Sequence, residues 1–342
     1  MIASAPAAGS RPIIHHETEV NGIRYHYQEA GSGPLVILLH GVPDLGHSWR
    51  NQLPALAAAG YRAVAPDLRG CGGSEVLPRV EDYSLLRHVE DVAGLIHALG
   101  AREAVVVGHD WGANLTWAMA QLRPDLVRAI VAISIPYYPE PRDPAEVHRF
   151  SSGRFDFVSY FQKVGAAEAE MATDPKRFFR RLFFGFSGDA PAGTVDRLFL
   201  EKPAGAKLLD GFPDPHPSEL PPWLTEQDVE LYASAYTKTG LGGVLGFYRN
   251  IEADYHALRS ASQQTPTQPV LFMGGAVEAA VRFGTLAPMK ASLLNLRQVM
   301  VLPGCGHWVQ QERAAEANAA IVQFLDGELH GQPAAAPSRK GR

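Results

Sequence analysis

The chain has 342 residues, of which 46% are hydrophobic and 20% charged, and its formal net charge is −5 at pH 7. These values are typical of a globular protein, and the net negative charge argues against binding to nucleic acid or to an anionic membrane surface. The length exceeds the roughly 250–300 residues at which one hydrophobic core stops growing, so we expect a large core that carries an inserted subdomain.

The first residues and the cysteines favour a cytoplasmic location. Residues 1–12 lack the basic start and sustained apolar run of a signal peptide, and no run of about 18 apolar residues occurs elsewhere. The two cysteines, Cys71 and Cys305, are too few for a disulfide framework, although a single bridge stays open as an alternative. We therefore expect a cytoplasmic protein that does not insert into a membrane.

The first hundred residues alternate between strand and helix patterns. Residues 20–28 show strand alternation with the turn Asn21-Gly22 near their start, and residues 35–39 form the continuous apolar run typical of a sheet covered on both faces. A third strand pattern covers residues 61–65. Apolar residues then recur at helical spacing over 89–99 and stop before a glycine, which predicts a helix. This alternation indicates an α/β core.

The chain is organised around the pentapeptide Gly108-His109-Asp110-Trp111-Gly112. Three valines at 105–107 predict a buried strand before it, and the apolar pattern of residues 115–122 predicts a helix after it. Glycines two positions before and after a central residue are typical of a nucleophile elbow, where a strand turns sharply into a helix. The alternative is that Asp110 is only the N-cap of that helix.

The identity of the central residue restricts the chemistry. A serine must lose its proton before it attacks a carbonyl carbon, whereas a carboxylate is already ionised at neutral pH and suits displacement at a saturated carbon. Asp110 at the centre of the elbow therefore argues against an ordinary esterase.

The alternation of strands and helices stops after a predicted strand at residues 129–135. Aromatic-rich helical patterns separated by proline and glycine follow, and the alternation resumes with strand patterns at 269–273 and 299–302 and a helix at 315–325. The predicted units are an α/β core at residues 13–136 and 249–326, a helical cap inserted at 137–248, a flexible tail at 1–12 and a disordered tail at 327–342.

In an open parallel sheet, the active site lies beyond the carboxyl ends of the strands. Asp110, Glu278 and His307 each follow a predicted strand, and Glu278 is the one carboxylate between residues 269 and 290. The order nucleophile, acid, base matches the α/β-hydrolase fold, a mostly parallel sheet flanked by helices. The alternatives are that Glu278 is an exposed loop residue and that His307 is a core or surface histidine without a catalytic role.

The sequence resembles the epoxide hydrolases of the α/β-hydrolase family over about residues 20–326. The resemblance rests on the pentapeptide around Asp110 and on four further segments, His40-Gly41-Val42-Pro43, Tyr160-Phe161-Gln162, Phe247-Tyr248-Arg249-Asn250 and Gly304-Cys305-Gly306-His307-Trp308. It implies that Asp110 attacks an oxirane carbon to form an alkyl-enzyme ester. His307 with Glu278 would then activate the water that hydrolyses this ester to a vicinal diol.

The resemblance also implies roles for the loop that follows the strand at 35–39. The backbone N–H groups of Val42 and Trp111 would form the oxyanion hole for ester hydrolysis. We expect Pro43 to hold a tight turn that aims the Val42 N–H, and His40 to brace the loop that includes Gly41.

Two departures from the family pattern concern the acid and the cap. The usual acid of the family is aspartate, so Glu278 is one methylene longer. In that family two cap tyrosines bind and protonate the epoxide oxygen; Tyr248 matches the second, but Phe157 occupies the position of the first. Either one phenol alone binds and protonates the epoxide oxygen, or Tyr160, one helical turn further along, replaces the missing first tyrosine. We expect Phe157 and Trp308 to line the substrate pocket.

We expect no cofactor and no metal, because neither metal-ligand spacing nor a phosphate-binding loop occurs in the sequence. The expected substrate is a small, mainly apolar epoxide, and the expected state is a monomer or homodimer. A haloalkane or haloacid dehalogenase is the nearest alternative, although Val42 stands where a haloalkane dehalogenase has a halide-binding asparagine. The second alternative is a non-catalytic ligand-binding protein with this fold.

Overall fold

The structure, a computed structural model, describes residues 12–139, 143, 153–261, 264–282 and 286–329. The predicted tails, 1–12 and 327–342, and the part of the predicted cap between 140 and 152 lie almost entirely outside the described residues. Within the described part of the chain, eight strands form one sheet in the spatial order β1-β2-β4-β3-β5-β6-β7-β8. The strands are β1 (Ile14–Val20), β2 (Ile23–Gly31), β3 (Leu35–Leu39), β4 (Arg62–Pro66), β5 (Ala104–His109), β6 (Val127–Ile133), β7 (Val270–Gly275) and β8 (Leu296–Leu302).

Parallel pairing dominates this sheet. β3 pairs in parallel with β4 and β5, and the strands from β5 to β8 pair in succession, also in parallel. β1 and β2 pair antiparallel, and β2 joins β4 antiparallel. The prediction of a mostly parallel sheet in an α/β fold is therefore confirmed.

The sequence pattern does not reveal β1. β1 and β2 form a hairpin around Asn21 and Gly22, whose φ angles of 52° and 80° are those that a tight two-residue hairpin turn requires. The pattern of residues 20–28 indicates the second arm alone, because β1 lies at the edge of the sheet and most of its side chains are exposed. A strand without a buried apolar face gives little alternation signal.

Helices pack on both faces of the sheet and fill the segment between β6 and β7. Among the described residues, none of these helices is both long and apolar enough to cross a membrane. The α-helices are Gln52–Ala58, Leu85–Ala98, Trp111–Leu122, Phe157–Gln162, Ala166–Thr173, Pro175–Gly185, Thr194–Asp196, Glu226–Thr239, Gly242–Arg249, Ile251–Ala261, Ala279–Arg282, Leu286–Ser292, Val309–Glu312 and Ala314–Leu329. Short 3₁₀ turns cover Gly46–Trp49, Val80–Tyr83 and Pro217–Glu219, and a π turn covers Arg197–Glu201.

The buried side chains divide into two clusters, one on each face of the sheet. In β3, Leu35 and Ile37 belong to one cluster, and Val36 and Leu38 belong to the other. A strand buried on both faces needs apolar side chains at every position, which explains its continuous apolar run. The first cluster extends into the helices between β6 and β7, whereas the second includes the helix Ala314–Leu329.

The helices from Phe157–Gln162 to Gly242–Arg249 form the inserted cap between β6 and β7, as the sequence predicts. Two of the cap helices begin directly after an aspartate, Asp156 or Asp174, whose carboxylate accepts hydrogen bonds from backbone N–H groups of the first turn. The precise limits of the cap at residues 137 and 248 stay a prediction.

A buried ion pair ties the hairpin, the loop after β4 and the helix Leu85–Ala98 together. Arg69 donates from Nε to Asp91 Oδ2 at 2.7 Å and from Nη2 to Oδ1 at 2.8 Å. The hydroxyl of Tyr25 in β2 donates to Asp91 Oδ2 at 2.6 Å, and the Arg69 and Asp91 side chains are 8% and 1% exposed. Removing one partner of such a pair leaves the other charge buried and uncompensated.

We predict that Asp91→Ala lowers the free energy of unfolding by about 3–5 kcal/mol, measured by urea denaturation, because Arg69 would lose its counter-ion. The matched control is Glu90→Ala on the same helix. Glu90 pairs with Arg87 at 2.9 Å, but both side chains are more than half exposed. Removing that surface pair changes the stability by less than about 1 kcal/mol. Equal losses in the two variants would contradict the role assigned to the buried pair.

Candidate active site

Asp110 lies at the sharp turn between β5 and the helix Trp111–Leu122. Its backbone has φ 55° and ψ −120°, which non-glycine residues rarely adopt and which is typical of strained functional sites. Gly108 and Gly112 permit the turn, because a Cβ on Gly108 would overlap the Gly112 backbone and a Cβ on Gly112 would overlap the carbonyl of Leu39. The Asp110 side chain makes no capping hydrogen bond to the helix, so the N-cap alternative does not account for it.

Two backbone N–H groups face the Asp110 carboxylate. The N–H of Val42 donates to Oδ1 at 2.8 Å, and the N–H of Trp111 lies close enough to lower the pKa of the carboxyl. Gly41 permits this approach, since a Cβ at that position would overlap the Asp110 side chain. The peptide bond between Val42 and Pro43 is cis. The two donors lie where they would stabilise negative charge that develops on Oδ1.

His40 braces the loop that carries Val42. Its side chain is fully buried, and its Nε2 accepts a hydrogen bond from the backbone N–H of Leu68 at 2.9 Å. The other ring nitrogen, Nδ1, therefore carries the proton and donates to the carbonyl of Gly41 at 2.9 Å. His40 thus links the loop after β3 to the loop after β4.

His307 lies between two carboxylates. Its Nδ1 is 2.8 Å from Glu278 Oε2, and its Nε2 is 3.6 Å from Asp110 Oδ2. The three side chains are 10–13% exposed, so solvent screens their charges weakly. The hydrogen bond to Glu278 makes Nδ1 the protonated nitrogen and turns Nε2 toward Asp110, which is the arrangement of a nucleophile, base and acid.

Burial and charge shift the ionisation of these groups. Burial raises the pKa of the Asp110 carboxyl above its ordinary value, against the lowering effects of His307 and the two backbone donors. A more basic carboxylate is a stronger nucleophile. Burial alone would lower the pKa of His307, but the charge of Glu278, the hydrogen bond to it and the charge of Asp110 raise this pKa to about 9. His307 is therefore protonated at neutral pH in the free protein.

No sequence motif identifies the residues whose hydrogen bonds hold the loop that carries His307. The Glu312 carboxylate accepts three backbone N–H groups of this loop and the cap, each at 2.8–2.9 Å. The carbonyl of His307 accepts from Ser134 Oγ at 2.7 Å and from His109 Nε2 at 2.8 Å. Ser134 and His109 come from distant parts of the chain, and only the fold brings them to the loop.

A cavity of about 320 Å³ opens between the core and the cap, and its walls include Asp110, Glu278 and His307. Most of the other walls are apolar or aromatic, and its aromatic lining includes Phe157, Phe161, Phe178, Phe186, Phe199 and Trp308. The predicted pocket residues Phe157 and Trp308 therefore both lie at this cavity.

Among the described residues, two phenols line the cavity, Tyr248 and Tyr138, and only the first belongs to a recognisable sequence motif. The Tyr248 ring packs edge-on against the Trp111 indole, with the ring centroids 5.1 Å apart. Burial, together with the charge of Asp110, raises the pKa of the Tyr248 hydroxyl well above its ordinary value. Tyr248 therefore keeps its proton at neutral pH, as a proton donor must.

Tyr160 does not reach this cavity. Its hydroxyl donates to Glu170 Oε2 at 2.8 Å, and its side chain lines a separate surface depression. Phe157, on the same helix as Tyr160, lines the cavity instead. Its ring packs edge-on against the ring of Tyr248, with the centroids 5.9 Å apart. The structure therefore does not bring Tyr160 together with Asp110.

The described residues contain no group of three or more histidine, cysteine, aspartate or glutamate side chains arranged to hold a metal ion. Cys71 and Cys305 are both free and buried, and burial raises the pKa of each thiol. Neither thiol is therefore activated as a nucleophile.

Comparison with known proteins places these features in a family. Residues 34–314 match the model of the alpha/beta hydrolase fold. "Epoxide hydrolase A" of Mycobacterium tuberculosis is 38% identical over 90% of this chain and 96% of its own length. The solved structure "Epoxide hydrolase from an endophytic Streptomyces" is 42% identical with a TM-score of 0.87, covering 92% of this chain and 96% of that one. Epoxide hydrolase A from Mycobacterium thermoresistibile is 38% identical with a TM-score of 0.86, covering 92% of this chain and 99% of that one.

We predict that Glu278→Gln lowers the pKa of His307 from about 9 toward its ordinary value of about 6.5, because the imidazolium loses a neighbouring negative charge. Titration of the ring by NMR across neutral and alkaline pH measures this shift, with His307→Gln to assign the signal. Glu316→Gln is the control, since its exposed partner is Arg313 and the change leaves the His307 pKa unaltered. An unchanged His307 pKa in Glu278→Gln would show that another group holds its proton.

Proposed function

Because this chain belongs to the epoxide hydrolases of the α/β-hydrolase family, we propose that Asp110, His307 and Glu278 carry out its reaction as nucleophile, base and acid. The observation that carries the proposal is that His307 lies 3.6 Å from Asp110 and 2.8 Å from Glu278 beside a cavity that Tyr248 also lines. The enzyme acts on ether bonds and adds water to an epoxide to give a vicinal diol.

In the first step, Asp110 attacks an oxirane carbon. Oδ1 already accepts the Val42 N–H, so Oδ2 is the oxygen that forms the new bond to carbon. The bond between that carbon and the ring oxygen breaks, and the departing oxygen takes the hydroxyl proton of Tyr248. A proton donor is needed because an alkoxide is far more basic than a phenolate. The product is an ester of Asp110 and a free hydroxyl group.

In the second step, water hydrolyses the ester. Esterification removes the Asp110 charge, which is one of the groups that raise the His307 pKa, so His307 then gives up its proton more readily. That proton returns the Tyr248 phenolate to a phenol. The neutral Nε2 takes a proton from water, whose oxygen attacks Cγ of Asp110. Negative charge develops on Oδ1, where the N–H groups of Val42 and Trp111 stabilise it. The bond to the diol oxygen then breaks, and that oxygen takes the proton from His307. The resulting Asp110 carboxylic acid passes its proton to the neutral Nε2, which restores the carboxylate and the imidazolium of the free enzyme.

The cavity favours a small and mainly apolar epoxide. Its volume is about 320 Å³, and its charged walls among the described residues are those of the catalytic groups. An apolar substrate body would displace water from the aromatic lining, while the oxirane meets Asp110 and Tyr248. We further propose a cytoplasmic monomer or homodimer, and the two free, buried cysteines support a reducing compartment.

The dehalogenase alternative is not favoured. Val42 has no side-chain donor at the position where a haloalkane dehalogenase has a halide-binding asparagine. A purely ligand-binding protein would not need a strained Asp110 aligned with His307 and Glu278.

Labelling with oxygen-18 water tests directly whether Asp110 forms a covalent ester. We predict that a single turnover in oxygen-18 water gives a diol without the heavy isotope, because the diol oxygen comes from Asp110 Oδ2. After many turnovers, oxygen-18 accumulates in the Asp110 carboxylate, and mass spectrometry of the peptide measures it. His307→Gln should trap the ester as a mass adduct, whereas Asp110→Asn should form none. Label in the first diol, with none in Asp110 after many turnovers, would exclude the two-step mechanism.

The tyrosine series addresses proton donation. We predict that Tyr248→Phe slows alkylation of Asp110 by about 10²–10⁴-fold, because the ring oxygen loses its acid. Tyr160→Phe leaves alkylation nearly unchanged and serves as the matched control, since its hydroxyl bonds to Glu170. Phe157→Tyr is tolerated, and Tyr138→Phe causes a smaller loss than Tyr248→Phe. Rapid-quench mass spectrometry with an aryl epoxide measures the ester; equal losses in Tyr160→Phe and Tyr248→Phe would contradict the assignment.

A further inference from the structure

Asp44 lies two residues after Val42 and is fully buried, yet it lines no part of the active-site cavity. Its backbone N–H donates to the carbonyl of Gly41 at 3.1 Å and closes the turn that presents the Val42 N–H. Its carboxylate oxygen Oδ1 accepts the backbone N–H of Leu45 at 2.9 Å. Asp44 therefore fixes the downstream end of the turn, as His40 fixes the upstream end.

Two phenols of one cap helix, Glu226–Thr239, donate to Asp44. The hydroxyl of Tyr232 donates to the Asp44 carboxylate at 2.6 Å, and the hydroxyl of Tyr236 donates to the Asp44 carbonyl at 2.7 Å. Both rings are fully buried, and neither lines the active-site cavity. These bonds join the cap to the turn without contact with the substrate.

The same helix also binds the next part of this loop, through Asp228, which lies one helical turn before Tyr232. Asp228 Oδ1 is 2.6 Å from His47 Nε2 and 3.2 Å from Arg50 Nε. Arg50 also donates to the carbonyl of Trp223, which lies just before the helix, at 2.6 Å. The segment from 44 to 50 is thus held along its length by the cap, so movement of this helix would shift the turn.

We propose that Tyr232, Tyr236 and Asp44 form a positioning unit through which the cap sets the Val42 N–H for hydrolysis of the Asp110 ester. The inference rests on the proposed function of Asp110 and Val42. It adds that three residues outside the substrate cavity affect the rate of one of the two chemical steps, the hydrolysis of the ester.

The two steps depend differently on the Val42 donor. During alkylation Asp110 gives up negative charge, so a donor on Oδ1 offers no advantage in the transition state. During ester hydrolysis Oδ1 gains a full negative charge, and the donor must lie at the correct distance and angle. A unit that positions Val42 therefore affects the second step selectively, whereas general loosening of the fold would affect both.

The test measures alkylation and ester hydrolysis separately, by rapid-quench mass spectrometry of the full-length protein with an aryl epoxide. Loss of an oxyanion-hole donor typically costs 10²–10³-fold, and misplacing one should cost less, so we expect Tyr236→Phe and Tyr232→Phe to slow ester hydrolysis by about tenfold. Alkylation should stay within about twofold of the wild type, so the ester accumulates. The amide proton of Val42 should also move upfield in NMR spectra as its bond to Asp110 weakens.

Tyr61→Phe is the matched control. The Tyr61 hydroxyl is also buried and donates to a carboxylate, that of Asp326, at 2.6 Å, but it belongs to the cluster on the opposite face of the sheet. Its removal should lower stability without changing the ratio of the two rates. If either cap tyrosine variant fails to fold, the other carries the test, because each phenol bonds to a different atom of Asp44.

The outcomes separate this inference from the proposed function. If the wild type forms no Asp110 ester, the proposed function fails and this inference fails with it. If the ester forms but both tyrosine variants hydrolyse it at the wild-type rate, or slow both steps equally, the positioning role alone is overturned. An unchanged Val42 amide signal in a folded variant would also overturn it.

Discussion

The backbone of Asp110 is the constraint on which the site depends. A positive φ at a non-glycine residue costs roughly 1–3 kcal/mol and persists only where its surroundings leave no alternative. Here β5 and its helix approach so closely that Gly108 admits no side chain, and Gly112 admits none because the end of β3 lies against it. The nucleophile is therefore held by packing of the central strands, which are buried on both faces, and it does not depend on a loop for its position.

The second constraint is electrostatic. Asp110 and Glu278 are two mostly buried carboxylates beside an apolar cavity, and the His307 imidazolium between them compensates part of their charge. In the proposed mechanism, this balance lets the same histidine bind its proton tightly in the free enzyme and release it later, because the ester would remove one of the two charges that hold that proton. Formation of the Asp110 ester would thus lower the pKa of His307 before His307 is needed as the base.

The sequence predicts those parts of the site that follow strands, because strand ends are visible as breaks in apolar runs. Asp110, Glu278 and His307 are recognisable in this way. The position of Tyr160 is not, because it depends on the rotation of the short helix Phe157–Gln162. Phe157 and Phe161 lie four residues apart on the cavity side, and Tyr160 turns away toward Glu170. Contacts such as Tyr232 with Asp44 join residues 188 positions apart and give no local pattern.

The two departures from the family pattern have different physical consequences. The extra methylene of Glu278 leaves its carboxylate at hydrogen-bond distance from His307 Nδ1, so the longer acid still reaches the base. Phe157 stands where the family pattern has a phenol, so the proposed mechanism assigns the oxirane oxygen to Tyr248 alone. Three rings pack against Tyr248, with centroid distances of 5.1 Å for Trp111, 5.9 Å for Phe157 and 4.7 Å for Phe161. A phenol held by such packing would need little reorganisation during the proposed ring opening.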